Sequence, residues 1–223
     1  MVSGSDMHGT PITVTAQQEG KTPEQVAMEY HKLNSDSIER MGISFDLFSH
    51  THTEEHAEVA LSILKKLDDN GYIEPRISEE PYDPIANQFL PDRYVEGTCP
   101  HCNYDSARGD QCDDCGKTLD SKELINPRSK LNPDAKIEFR ETEHLFFKLS
   151  EFRDVLLEWL SEGKEHWRPS VINFTRNWLK EGLIDRAVTR DLDWGIEIPR
   201  EGYENKRMYV WFEAVMGYYS ASV

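Results

Sequence analysis

Apolar side chains recur at helical spacing in four stretches of the chain, and each stretch carries residues typical of helix ends. The first opens on Thr22-Pro23-Glu24-Gln25, which combines a capping box with proline at the first helical position, and Gly42 ends it. The second is predicted over residues 53–70, the third from a Ser150 cap towards Gly163, and the fourth over residues 169–182. The stripes expected to face the core are Val26, Tyr30, Leu33, Ile38 and Met41 in the first helix and Val59, Ala60, Ile63, Leu64 and Leu67 in the second.

Strand-like apolar runs separate these helices. Residues 2–5 end a strand, which the polar and turn-forming segment Asp6-Met7-His8-Gly9-Thr10-Pro11 stops. Further strands are predicted over residues 137–149 and 208–212. Residues 72–136 hold seven prolines and only short apolar pieces, so we expect an irregular, loop-rich insertion there.

The apolar runs are short throughout the chain. None approaches the roughly 20 residues that span a bilayer. Residues 1–9 have neither a basic start nor an apolar stretch and so do not form a signal peptide. We therefore expect a cytoplasmic protein that does not enter the membrane.

The amino-acid composition shows a large excess of acidic over basic residues. The 223 residues include 25 Lys and Arg against 41 Asp and Glu, a formal charge of −16. This balance argues against a protein that holds nucleic acid by bulk charge, although it leaves room for a local basic site. An acidic excess spread along the chain is also typical of proteins from salt-loving organisms, and if this chain is one of them its folding should improve in molar salt.

Four cysteines, at positions 99, 102, 112 and 115, are the strongest chemical signal in the sequence. Each Cys-x2-Cys turn places two thiolates on one side of a tight loop, and two such turns supply a tetrahedral set for Zn²⁺. Four thiolates leave no open position for water, so the predicted zinc site is structural. An iron–sulfur site and reduced, unliganded thiols are the alternatives.

Other candidate residues allow two interpretations each. Asp6 and His8 follow a strand end, where a turn with Asp capping backbone amides is favoured over a ligand-binding carboxylate at the edge of a sheet. The aromatic residues Trp211, Tyr218 and Tyr219 are typical of a core, but they could also line an apolar pocket. A metal role for the cluster of His50, His52 and His56 is only weakly indicated, since two of these residues simply precede the Thr53 cap.

Taken together, these residues resemble the methionyl-tRNA synthetases, a family of class I aminoacyl-tRNA synthetases. The resemblance covers nearly the whole chain in the right order. It is carried by Asp6-Met7-His8-Gly9-Thr10-Pro11, FLPDRYVEGTCPHC at 89–102, ARGDQCDDCG at 107–116, ETEHLFFKLS at 141–150, TRDLDWG at 189–195 and YVWFEA at 209–214.

This resemblance implies an α/β fold, a partial Rossmann-like catalytic domain interrupted by a zinc-binding connective insertion. The implied boundaries are residues 1–72 for the first catalytic segment, 73–187 for the insertion and 188–223 for the second catalytic segment. The implied reaction activates methionine with ATP and Mg²⁺ to methionyl-adenylate and pyrophosphate, and then transfers the methionyl group to tRNA(Met) with release of AMP.

The resemblance also implies roles for individual residues. Asp6 would bind the methionine ammonium group, and Arg190 would serve the nucleotide or the mobile catalytic loop. The methionine pocket would be formed with the help of Trp211, Ala214, Val215 and Tyr218. The family often has proline where this chain has Val215.

Several family features are missing from the sequence. It has neither the His-x-Gly-His signature expected before Asp6 nor the Lys-Met-Ser-Lys-Ser loop expected after Val223. We therefore expect an internal fragment that is inactive alone. Residues 82–86 and 127–130, which correspond to a second cysteine knuckle in many relatives, carry no cysteine, so one zinc ion is expected.

Two other functions remain open from the sequence. The chain could be a non-catalytic zinc module that binds RNA or a protein, although the acidic charge speaks against simple RNA binding. It could also belong to a class I synthetase for leucine, isoleucine or valine, because these enzymes share the split fold.

Overall fold

In the computed structural model, which describes residues 1–91 and 93–223, the chain divides into two units. The first contains Met1–Arg76, Leu145–Thr189 and Trp194–Val223, and the second contains Ile77–His144 and Arg190–Asp193. Asp92, within the resembling stretch 89–102, lies outside the described residues. The domain boundaries at residues 72 and 187 stay a prediction.

The first unit begins with two parallel strands. β1 (Val2–Ser5) pairs with β2 (Leu47–His50), in register from Val2 opposite Leu47 to Ser5 opposite His50. The chain between them forms α1 (Thr10–Glu19) and α2 (Pro23–Arg40), and α3 (Glu54–Asp69) follows β2. Gly4 is required at this pairing, because a Cβ atom there would lie 2.6 Å from the carbonyl oxygen of Ser49.

Helix ends follow the local sequence closely. The predicted capping box of α2 is confirmed: the Gln25 amide donates to Thr22 Oγ1 at 3.2 Å, and the Thr22 amide donates to Gln25 Oε1 at 2.9 Å. Thr53 caps α3 by accepting from the His56 amide. α1 was not predicted, since Gly9 and Pro11 suggest a break; proline in the first turn instead opens this helix.

The apolar stripe predicted for α2 is only partly buried. Val26 lies in the core, whereas Tyr30, Leu33 and Met41 are exposed. The inner face of α3 is closer to expectation: Ala60 and Leu64 are buried and the other stripe residues are half-buried. The apolar periodicity predicted both helices correctly, but it did not show which apolar stripe is covered by other parts of the chain.

A four-stranded sheet and several short elements complete the fold. The sheet has the order β4-β3-β8-β9, with β3 (Ile73–Asp83), β4 (Gln88–Phe89), β8 (Glu138–Phe147) and β9 (Arg186–Ala187). The second unit also holds β5 (Val95–Thr98), β6 (Ala107–Arg108) and β7 (Ile125–Ser129), paired in the order β6-β5-β7. The remaining α-helices and strands of the described residues are α4 (Arg153–Trp159), α5 (Pro169–Glu181), β10 (Thr189–Arg190), β11 (Arg207–Met208), α6 (Val210–Glu213) and α7 (Gly217–Ser220).

Three predictions about these elements need correction. The strand expected over residues 208–212 ends at Met208, and the chain turns into α6 at Val210. Ser150 does not cap a helix, because a 3-10 helix, Leu149–Phe152, precedes α4. The insertion is less irregular than expected, since the 11-residue strand β3 runs into it.

The core of the first unit gathers side chains from distant parts of the chain. α3 contributes Ala60 and Leu64, and β8 contributes Leu145. The other buried members are Ile73, Val188, Ile196, Ile198, Tyr203 and Met208. Within the described residues, no helix is both long enough and apolar enough to cross a membrane.

Candidate functional site

A cavity of about 480 Å³, the β1 cavity, lies in the first unit beside strands β1 and β2. Four of the residues that the resemblance assigns to methionine binding line it together, Asp6, Ala214, Val215 and Tyr218, and the weak metal candidate His50 lines it as well. Asp6 follows β1, whereas Ala214, Val215 and Tyr218 belong to the short helical segment that begins with α6. Residues about 200 positions apart in sequence therefore share one cavity.

Two other predicted site residues lie elsewhere. Trp211 lies outside the lining of the β1 cavity, and 68% of its surface is exposed. Arg190 ends β10 and belongs to the second unit. The functional roles given to both by resemblance stay predictions.

The environment of Asp6 disfavours its ionised form. The side chain is exposed to solvent, but partial desolvation by its neighbours is the largest cause of its raised pKa, and the negative charge of Glu213 raises that pKa further. The amide of His8 donates to Asp6 Oδ1 at 3.4 Å and acts in the opposite direction. Asp6 thus caps its own turn, as expected for this position, and also faces the β1 cavity.

Next to the cavity lies a hydrogen-bonded network that we call the Glu213 network: Glu213, His8 and His56, which are buried, and Ser220, which lines the cavity. Glu213 is fully buried, with Oε1 2.9 Å from His8 Nδ1 and Oε2 2.7 Å from His56 Nε2. The other ring nitrogen of His56 lies 2.9 Å from Ser220 Oγ. Burial alone would raise the pKa of Glu213, but the hydrogen bonds from His56 and His8 outweigh it and lower that pKa.

Two further aromatic side chains support this network. His8 Nε2 lies 3.1 Å from His52 Nδ1, and the His52 ring packs against Trp194 with 4.5 Å between ring centroids. The Trp194 indole donates to the Met7 carbonyl at 2.7 Å, which fixes the turn between Asp6 and His8. Burial, followed by the neighbouring charge of His8, lowers the pKa of His52.

Sequence reasoning missed Glu213. It lies in an aromatic run that was assigned to a strand and its end, so nothing in the pattern singled it out. The one available signal was an acidic residue between Phe212 and Ala214, in a segment otherwise apolar and aromatic. His56, considered only as a weak metal candidate, serves as a hydrogen-bonding partner of this carboxylate.

The four cysteines of the second unit form a compact cluster. All four sulfur atoms lie within 4.8 Å of one another, with 3.9 Å between Cys99 and Cys115 and 3.6 Å between Cys102 and Cys112. Across residues 1–91 and 93–223, this is the one group of three or more potential ligands close enough to share an ion.

The two halves of the cluster share one backbone pattern. The Cys99 amide donates to the Tyr104 carbonyl, and the Cys112 amide donates to the Lys117 carbonyl. In each half the residue four positions after the first cysteine donates back to that cysteine's carbonyl and adopts a left-handed conformation, Asn103 with φ 63° and Gly116 with φ 73°. The two turns therefore present their thiols in the same way.

These sulfur positions fit a tetrahedral metal. Four sulfurs bound to zinc at about 2.3 Å would lie about 3.8 Å apart, close to the spacing seen here. A disulfide requires about 2.0 Å, so the cysteines are free thiols. Burial opposes ionisation of Cys99, but hydrogen bonds from the amides of Cys102 and His101 lower its pKa to about 7.

Comparison with known proteins gives a consistent result. Residues 1–223 match the family described as tRNA synthetases class I (M). The methionine–tRNA ligase of Dehalococcoides mccartyi is 57% identical over 223 residues, which cover all of this chain and 40% of that protein. The methionine–tRNA ligase of Thermomicrobium roseum is 55% identical over 223 residues, covering all of this chain and 38% of that protein. The chain therefore spans about 40% of the length of the curated relatives it matches.

Solved structures agree on the fold. A crystal structure of Mycobacterium tuberculosis methionyl-tRNA synthetase bound by methionyl-adenylate superimposes with a TM-score of 0.65 at 20% identity. The match covers 98% of this chain and 38% of the other, and it confirms the predicted α/β fold. Because the family match extends over residues 1–223, the chain belongs to the class I tRNA synthetases (M).

Proposed function

We propose that this chain provides the methionine-binding part and the zinc-bearing insertion of a cytoplasmic methionine–tRNA ligase. In this function, ATP with Mg²⁺ activates methionine to methionyl-adenylate, which then reacts with tRNA(Met). The observation that carries the proposal is the shared lining of the β1 cavity by Asp6, Ala214, Val215 and Tyr218.

The chemistry of the β1 cavity suits methionine. A carboxylate in a partly desolvated position gains from pairing with an ammonium group, which Asp6 offers. The side chains of Val215 and Tyr218 offer the apolar and aromatic surface that a flexible thioether prefers. The resemblance adds Trp211 as a further aromatic contact for methionine. It separately suggests that Arg190, in the second unit, contacts the nucleotide or the catalytic loop.

We further propose that the cysteine cluster holds one Zn²⁺. The ligands would be Cys99, Cys102, Cys112 and Cys115, whose sulfurs have tetrahedral spacing. A four-thiolate set has no position left for water or substrate, so the ion would stabilise the short strands and turns of the second unit.

Calorimetric titration of the purified chain with methionine tests the pocket. We expect binding to the wild-type chain and a loss of at least about tenfold in affinity in Asp6→Asn, which removes a charge partner of the ammonium group. Asp154→Asn is the matched control, because it removes the same charge from an exposed helix position. Equal affinities of Asp6→Asn and wild type would contradict the proposal.

A chimaera tests the reaction itself. Residues 1–223 replace the aligned segment of the Dehalococcoides mccartyi ligase, and amino-acid-dependent ATP–pyrophosphate exchange is measured with all 20 amino acids. We expect exchange with methionine alone, and none from the 223-residue chain by itself. Exchange driven by leucine, isoleucine or valine, or a folded but inactive chimaera, would overturn the proposed activity.

A further inference from the structure

We infer that Glu213 is a positioning residue, which joins the turn carrying Asp6 to the segment carrying Ala214, Val215 and Tyr218. In this role it sets the separation between two walls of the β1 cavity. The inference rests on the proposed function, because it assigns a supporting residue to the same methionine pocket.

The connection runs through hydrogen bonds between distant segments. His8 lies two residues after Asp6 and contacts Glu213 Oε1 at 2.9 Å. His56 lies in the first turn of α3 and contacts Glu213 Oε2 at 2.7 Å. Ser220 of α7 contacts His56 at 2.9 Å, so the end of the pocket segment is tied to the same histidine.

The proton positions in this network follow from the carboxylate. Ionised Glu213 can only accept hydrogen bonds, so His8 must carry a proton on Nδ1 and His56 must carry one on Nε2. The other ring nitrogen of His8, Nε2, lies 3.1 Å from Nδ1 of His52, so both nitrogens of this ring are held. One carboxylate thereby orients two buried rings.

The position of Glu213 gives it an influence on the geometry of the β1 cavity as well as on the stability of the protein. It is the residue immediately before Ala214, and its partner His8 shares a four-residue turn with Asp6. A shift of Glu213 relative to His8 therefore moves Asp6 relative to the cavity wall that begins at Ala214. Misplacement of a binding group by about 1 Å reduces activity by up to about 100-fold in enzymes.

Glu213 acts on the pocket through its charge as well as through its position. Its negative charge raises the pKa of Asp6 and would also attract a bound ammonium group directly. A variant that keeps Glu213 but breaks one of its hydrogen bonds therefore isolates the positional effect, and His8 offers such a variant.

The test compares Glu213→Gln with the core variant Leu64→Ala in the 223-residue chain. Both replace buried groups of the first unit, but Leu64 belongs to the hydrophobic core and not to the pocket. We expect Glu213→Gln to raise the methionine Kd between about 10-fold and 100-fold. Leu64→Ala should lower the melting temperature and leave Kd within about twofold of wild type. A Kd for Glu213→Gln that is unchanged or improved overturns the inference.

A second pair of variants covers the case in which Glu213→Gln fails to fold. His8→Asn keeps an N–H donor near the place of Nδ1, whereas His8→Ala removes it. We expect His8→Ala to weaken methionine binding by about tenfold and His8→Asn to restore most of it. Equal losses in the two His8 variants contradict the positioning role.

Failure of the proposed function gives a different result. If the wild-type chain binds no methionine, the proposed pocket is wrong. The positioning role is then tested by comparing the backbone amide NMR resonances of Glu213→Gln with those of wild type. Glu213→Gln should then shift the amide resonances of both Asp6 and Tyr218. Shifts confined to the neighbours of residue 213 would overturn the inference on its own.

Discussion

Asp6 and Glu213 are two carboxylates of the first unit whose surroundings change their pKa values in opposite directions. Partial desolvation and the charge of Glu213 raise the pKa of Asp6. Glu213 is more deeply buried, yet its pKa is lowered, because His56 and His8 donate hydrogen bonds to its two oxygens. The two carboxylates therefore differ in their neighbours: Glu213 has two histidine partners that favour its ionised form, whereas Asp6 has a second carboxylate nearby that disfavours it.

Methionine binding should depend on pH through Asp6. Its pKa lies above the ordinary 3.8, so lowering the pH protonates this carboxylate earlier than an exposed aspartate. Binding of the ammonium group requires the ionised form and should weaken as pH falls through the raised pKa. Titration calorimetry between pH 7 and about pH 3, with circular dichroism to confirm folding, measures the midpoint. A midpoint at or below 3.8 would contradict this prediction.

At the scale of elements, the repeated cysteine turns explain how the part of the second unit around the cysteines can be built from very short strands. Among β4 to β7, the longest strand has five residues. Strands of this length bury little surface, so a shared metal would supply stability that packing does not.

Replacing one cysteine should loosen this unit selectively. We expect purified protein to contain about one zinc per chain and Cys112→Ser to contain less. In that variant, limited proteolysis should cut first within residues 77–144. His101→Ser is the control, because His101 is another potential ligand within the first Cys-x2-Cys turn but lies outside the sulfur cluster. Normal protease resistance of metal-free protein would be inconsistent with a structural zinc.

Asp83 holds another part of the second unit without a metal. Its Oδ1 accepts from the amides of Ile85 and Ala86, at 2.9 Å and 3.0 Å. Its Oδ2 accepts from Ser129 Oγ at 3.1 Å and from Asn132 Nδ2 at 2.8 Å. Residues 83 and 129 lie in the two stretches where the resemblance suggested a second cysteine knuckle, so hydrogen bonds join these stretches directly.

Asp83→Ala should destabilise the protein strongly. Removing a buried acceptor leaves four donors without their partner, and we expect a loss of about 3 kcal/mol in the free energy of unfolding. Urea denaturation followed by circular dichroism measures this loss. Asp134→Ala removes an exposed carboxylate from the same unit and should change stability by less than about 0.5 kcal/mol. Similar losses in both variants would argue against the role of Asp83.

The parts of the fold that could be predicted from sequence are those that depend on residues close together in the chain. The Thr22 capping box and the cysteine turns depend on residues a few positions apart, and the structure contains both. The strand predicted at 208–212 was wrong because aromatic residues favour strands in general, whereas here Glu213 must reach His8 and His56. The side chains that contact one another in the Glu213 network are 157 to 205 residues apart in sequence. Contacts over such separations produce no periodic pattern, so the sequence did not predict this network.

At the scale of the whole molecule, the charge of −16 predicts a dependence on ionic strength. Raising NaCl from about 10 mM to 200 mM shortens the screening length from about 30 Å to less than 8 Å. Repulsion between carboxylates weakens accordingly, so the melting temperature should rise, with most of the gain below about 0.2 M. NaCl is preferred to sulfate, because sulfate stabilises most proteins by exclusion from their surface. A melting temperature that does not change up to 1 M would contradict the prediction.

The pairing of β3 with β8 has a consequence for how such a protein can change. β3 carries the chain from the first unit into the second, and β8, its neighbour in the sheet, carries it back. Adjacent strands lie about 4.8 Å apart, a gap that a two-residue turn can close. The segment between them can therefore be shortened, extended or exchanged for another while the two strands keep their ladder. The paired strands β3 and β8 therefore allow the segment between them to vary during evolution. They also allow a different segment to be grafted there by protein engineering without redesign of the rest of the chain.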